Sequence, residues 1–176
     1  NFHTFRHRKE EYMKDEASER RQEELINRMG QAISQMNGAY AKAEKLMGLN
    51  PYVSKVLYAL LFGNGITQSE ICDAYEMPKQ TVNNIVKRLV EKGFAEVRCD
   101  EANRKSKPVV LTEDGYAFAD HVLAPMLLFE KRVLSDMGEE SYTKLIALLE
   151  EEAGAIERAL AQGRLREDAA REVWVV

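Results

Sequence analysis

Within MPKQTVNNIVKRLVEKGFAEV, Gln80, Asn83 and Asn84 crowd three amide side chains into little more than one helical turn. An amide carries a donor and an acceptor side by side, the combination that pairs with the edge of a base. Thr81 adds a hydroxyl, and Lys79, Lys87 and Arg88 supply the cations that neutralise phosphates. A second basic cluster, Arg104, Lys105 and Lys107, follows after a short gap. These types suit hydrogen bonding and charge neutralisation, not bond breaking. No phosphate loop, nucleophile elbow or cysteine–histidine constellation occurs in the chain, so an enzyme is the least expected reading. His3 and His7 stand four apart, but two ligands without a third fall short of a metal site, and His121 stands alone. No metal and no other cofactor is expected.

The surrounding residues specify the elements that would position these groups. Thr67 and Glu70 have the spacing of a capping box, which starts a short helix through about Tyr75 with Ile71 and Ala74 inward. Glu76 and Met77 make a turn, and Pro78 pre-sets φ for a second helix. That helix runs to about Glu91 and stops near Gly93, with Val82, Ile85, Val86 and Leu89 as its buried stripe. Ala95, Val97 and Cys99 alternate, as do Val109 and Leu111, so two strands should flank the loop from Asp100 to Lys107. A compact helical subdomain with a solvated polar face would explain the amide-rich helix alone. The order of elements favours another reading: a helix-turn-helix followed at once by a basic hairpin is the winged-helix arrangement, and its expected partner is double-stranded DNA.

At 176 residues the chain fits one domain or a compact two-lobed protein, and scarce Gly and Pro favour helix. The net charge of −4 conceals an asymmetry. Residues 78–107 hold eight basic against four acidic side chains, a local +4, so the remainder sums to −8. Steering toward DNA depends on that local potential. No membrane span or signal peptide is recognisable, and a cytoplasmic location is expected. Cys72 and Cys99 form neither a zinc pattern nor a disulfide framework.

Around the winged helix of residues 50–112 the chain divides into four further parts. Residues 1–9 read as a mobile or partner-dependent arm. Residues 10–48 read as a long helix ended by Gly48, with Ile26, Met29, Ile33, Met36, Tyr40, Ala43 and Met47 forming a narrow seam. Such a seam packs against the chain's own C-terminal helix, against a second subunit, or against both; plain core and a ligand pocket are both open for its Met and Tyr residues. Residues 113–162 hold two helices. The first is capped by Thr112 and should kink or split at Pro125. The second, Ser141 to Ala161, turns Leu145, Leu148, Leu149, Ala153, Ile156 and Leu160 inward. Residues 163–176 form a charged, then apolar, tail whose structure the sequence does not decide.

This mainly α layout with a small β-wing, a winged helix-turn-helix core flanked by long N- and C-terminal helices, resembles the MarR family of bacterial transcriptional regulators from about Glu10 to Leu160. MPKQTVNNIVKRLVEKGFAEV looks like the family's recognition helix and first wing strand, and NRKSKPVVLTEDG like its wing and return strand. The resemblance implies a homodimer whose terminal helices interlock and whose winged helices sit on successive major grooves of a pseudo-palindromic operator. It implies repression modulated by a small aromatic or lipophilic effector. Met36, Tyr40 and Tyr58 are the candidate effector residues. Gln80, Thr81, Asn83 and Asn84 are candidates for base edges, Lys79, Lys87 and Arg88 for phosphates, and Arg104, beside Lys105, for the minor groove. The wing departs from the family's usual Asp-Arg-Arg: Asn103-Arg104-Lys105 puts an amide in place of the acidic orienter and Lys in place of the second Arg. Two alternatives stand beside this reading. One is a redox sensor of the same fold using Cys72 or Cys99; the other is a winged-helix protein-interaction module that never touches DNA.

Overall fold

The structure, a computed structural model, describes residues 2–63, 65–98 and 107–161, with side chains described from residue 17 onward. The elements run α1 (Phe2–Met47), α2 (Pro51–Phe62), β1 (Ile66–Thr67), α3 (Gln68–Tyr75), α4 (Lys79–Glu91), β2 (Ala95–Val97), β3 (Pro108–Leu111), α5 (Glu113–Met137) and α6 (Glu139–Ala161). The chain forms two compact units, residues 1–126 and 127–176.

The first unit holds the winged helix. Asn50 caps α2 by accepting from the amides of Tyr52 and Val53, and Pro51 occupies the first turn, where a missing N–H costs nothing. Val56, Leu57 and Leu60 of α2 meet Ile71 of α3 and Val82, Val86 and Leu89 of α4 in a fully enclosed core. The sheet closes one side in the order β1-β3-β2, all antiparallel, with Ile66 opposite Val109 and Ala95 opposite Leu111. β1 is a strand the sequence reading missed, because two residues are too few to show an alternation.

Several expectations change. α1 begins at Phe2, so helix runs through the stretch expected to be an arm. In α3 the inward residue beside Ile71 is Cys72, and Ala74 is exposed; eight residues leave room for one buried turn against α4. Val97 is exposed although Ala95 is buried, because β2 is an edge strand and its far end extends beyond the core. Ile85 is half-buried. α5 is continuous through Pro125 rather than split. In α6 no residue is buried: Leu145 is half-covered, and Leu148, Leu149, Ala153, Ile156 and Leu160 are exposed. The α1 seam is likewise closed only near its end, at Ala43, while Ile26, Met29 and Met36 are exposed.

Candidate nucleic-acid interface

The first helix of the helix-turn-helix is anchored at its start. Glu70 accepts from the Thr67 amide and hydroxyl, both at 2.7 Å, while the Glu70 amide donates back to Thr67 Oγ1 at 3.3 Å. These two bonds hold the Glu70 carboxyl below its usual range, the backbone amide contributing most. The turn into α4 is made by Glu76 in the left-handed region at φ 47°, and Met77 plugs the space beneath it.

α4 starts at Pro78, whose carbonyl accepts from the Thr81 and Val82 amides. Its end is a complete Schellman motif: the Gly93 amide donates to Val90 O and the Phe94 amide to Leu89 O, with Gly93 at φ 74°. That end is tied to α5. Thr112 Oγ1 donates to Gly93 O at 2.7 Å and accepts from the Gly115 amide at 3.0 Å; Phe94 stacks on Phe118 with centroids 4.3 Å apart. Gly115 is required there, since a Cβ would collide with the Phe94 carbonyl. Both ends of α4 are therefore fixed by backbone contacts, which sets the orientation of everything it displays.

With Val82, Val86 and Leu89 buried, Lys79, Gln80, Asn83, Asn84, Lys87 and Arg88 are all exposed and Thr81 is half-buried. Gln80 Nε2 donates to Asn84 Oδ1 at 2.9 Å, and Lys87 pairs with Glu91 at 3.7 Å in full solvent view. Lys79 and Arg88 have no carboxylate partner among the described residues. Two clefts flank the helix. One, about 360 Å³, lies toward α3 and is lined by Gln68, Ser69, Lys79, Gln80 and Asn83, with Cys72 at its floor. The other, about 220 Å³, lies toward α2 and is lined by Asn50, Tyr52, Thr81, Asn84 and Arg88, with Val53 and Ile85 as its apolar part. Gln68, Ser69 and Tyr52 are polar lining residues that sequence reasoning missed. Gln68 and Ser69 follow the Thr67 cap directly, a signal that places them at the start of α3, Gln68 half-buried and Ser69 exposed; Tyr52 gave none.

The wing strands pair, and the Arg98 amide donates to Pro108 O. Arg104, Lys105 and Cys99 lie outside the described residues; Lys107 is exposed. Met36 is exposed, and Tyr40 and Tyr58 are half-buried, with Tyr58 stacked on Phe62 at 5.9 Å; neither cleft includes the three candidate effector residues. Cys72 is buried. Among the described residues no group of three or more His, Cys, Asp or Glu could hold a metal, and no helix is long and apolar enough to cross a membrane.

Comparison with known proteins bears on this interface directly. The sequence model of the MarR family matches residues 47–106, which include α2, α3, α4 and β2. The uncharacterized HTH-type transcriptional regulator YwoH of Bacillus subtilis is 34% identical over 85 residues, covering 48% of this chain and 61% of that protein. The HTH-type transcriptional regulator PecS of Dickeya dadantii is 30% identical over 99 residues, covering 56% and 57%. The chain thus spans less than two thirds of the length of these curated relatives. Among solved structures, NMB1585, a MarR family regulator from Neisseria meningitidis, superposes with a TM-score of 0.68 at 27% identity, over 79% of this chain and 98% of that one.

Proposed function

The chain belongs to the MarR family, and from that premise we propose that it is a DNA-binding transcriptional regulator, a cytoplasmic repressor that reads a pseudo-palindromic operator as a homodimer. The observation that carries this reading is the division of α4. One face is sealed in the core, and the other presents three amides and three cations to solvent between two clefts.

In this reading Gln80, Thr81, Asn83 and Asn84 meet base edges in the major groove. Lys79, Lys87 and Arg88 meet phosphates, and Arg104 with Lys105 enters the minor groove. The exposed Lys87–Glu91 pair contributes little by itself and yields to a phosphate. Dimerisation is supported by the apolar side chains that α1 and α6 each leave in solvent, Ile26 and Met29 on one, Leu148, Ile156 and Leu160 on the other. A two-fold dimer reads two half-sites about 34 Å apart. A small aromatic or lipophilic effector at Met36, Tyr40 and Tyr58 would act by binding the DNA-competent and incompetent forms with different affinity. Nothing in this reading calls for a reaction; the protein regulates transcription and is not an enzyme.

The test is selection of bound fragments from random duplex DNA, followed by titration of the winner over a range of salt. One two-fold-symmetric motif should be enriched, and the logarithm of the affinity should fall linearly with the logarithm of salt concentration. Recovery of unselected DNA at every salt concentration would refute the reading and leave the protein-interaction module in its place.

A further inference from the structure

Gln80 and Asn84 look like two independent base contacts in the sequence, but the structure joins them. They lie one helical turn apart on the exposed face of α4, and Gln80 Nε2 donates to Asn84 Oδ1 at 2.9 Å. An unrestrained Asn on a solvated helix can present either end of its amide outward. A donor held against Oδ1 removes that choice. It takes one of the two lone pairs of the oxygen and fixes the amide plane. The second lone pair and the Nδ2 hydrogens remain as an acceptor and a donor in set order. Their complement in the major groove is the adenine edge, which offers the N6 donor beside the N7 acceptor. Asn83 differs in kind. It faces the cleft toward α3, while Asn84 faces the cleft toward α2, and no such bond restrains it among the described residues.

We propose that Gln80 is a positioning residue that acts through Asn84, fixing its amide so that Asn84 reads adenine at one operator position while Asn83 reads on the other flank of the helix. The inference rests on the DNA-reading function proposed above. It makes the Gln80–Asn84 pair a single specificity element. Gln80 keeps its own Oε1 and second N–H for a further contact, but its effect on base choice passes through the neighbouring amide.

Three variants at position 80 separate positioning from contact, because they differ in what they can offer Asn84. Gln80→Lys still donates to Oδ1. Gln80→Glu only accepts, so it turns the Asn84 NH2 inward and the carbonyl outward. Gln80→Ala offers nothing. All three change an exposed side chain, so the fold is not at stake. The experiment titrates wild type, these variants and Asn84→Ala against every single-base variant of the selected operator, and reads relative base preference at each position. Asn84→Ala identifies its base pair as the one where discrimination disappears.

There the wild type should prefer adenine by about fivefold or more. The preference should survive in Gln80→Lys, collapse toward equality in Gln80→Ala, and move away from adenine in Gln80→Glu. An adenine preference unchanged in both Gln80→Ala and Gln80→Glu would overturn the proposal, as would a different base at the Asn84 position or no position sensitive to Asn84. Those results leave DNA reading intact. Failure of the wild type to select any motif is a different result, and it removes the function and this inference together.

Discussion

Helices α4 and α6 carry the same kind of apolar stripe and meet opposite fates. On α4, Val82, Val86 and Leu89 are 0%, 2% and 5% exposed. On α6, Leu148, Ile156 and Leu160 are 63%, 54% and 53% exposed. Both stripes recur at helical spacing, although that of α4 stands in sharper contrast to its polar face, and spacing alone does not say what covers a stripe. What differs is the cover. α2 and α3 lie against α4 and close its stripe, whereas no residue of α6 is buried within the chain. Periodicity therefore specifies that a helix has an apolar face, and leaves open which molecule covers it. The same ambiguity runs along α1, whose seam is sealed at Ala43 and open at Ile26.

The largest expected effects would break or sharpen this contrast. Leu57→Ala removes a side chain with no exposure from beneath α4 and should cost about 2–5 kcal/mol in urea denaturation, independent of protein concentration. Leu148→Ser with Ile156→Ser removes side chains already in solvent. That pair should leave the secondary structure by circular dichroism intact while halving the mass seen in sedimentation. A wild-type chain that sediments as a monomer at micromolar concentration would show the α6 stripe to be uncovered in solution and would end the dimer reading.

Much of the geometry of the candidate interface was legible in sequence because its signals are local. The capping box at Thr67 and Glu70, the stop at Gly93 and the amide and cation face of α4 each depend on residues within a turn of one another, and each stands where expected. What escaped depends on contacts between distant residues. Ala74 is exposed because the contact of α3 with the rest of the core covers Ile71 and Cys72 and stops short of it. Tyr52 joins a cleft with Arg88 only once α2 and α4 cross. β1 exists only because β3 returns beside it.

Gly115 shows such a distant requirement most sharply. Read in sequence it is an unhelpful glycine in the first turn of a helix. In the structure it is the point where α5 passes against the backbone of Phe94. Gly115→Ala should destabilise by roughly 1–3 kcal/mol, because the obstructing atom is a backbone carbonyl that cannot rotate away. Since Phe94 also closes the Schellman motif of α4, DNA affinity should fall with it. Gly30→Ala is the internal contrast: nothing lies within 4 Å of a Cβ there, and removing a mid-helix glycine should stabilise by about 0.5–1 kcal/mol. Shifts of opposite sign in urea midpoint, the larger at Gly115, would support the geometry; a neutral Gly115→Ala would contradict the close approach.

The smallest effect concerns the joint between the sheet and the helix-turn-helix. Thr67 belongs to both, pairing in register with Pro108 in β3 and capping α3. The cap works through an ionised Glu70, whose carboxyl is held below its usual range by the Thr67 amide first and the Thr67 hydroxyl second. A carboxyl with a lowered pKa in the folded state contributes stability that is complete above its unfolded value, near the ordinary Glu value of about 4.3. That contribution is lost as pH falls through the lower folded value. Glu70→Gln preserves the shape but has no charge to lose. Its deficit relative to wild type should therefore be full at pH 7 and should shrink as pH falls through the carboxylate range. Urea midpoints of the two proteins at matched pH values measure that deficit. A deficit constant with pH would mean that the box is held by shape and neutral hydrogen bonds, and that the charge on Glu70 adds nothing to the joint.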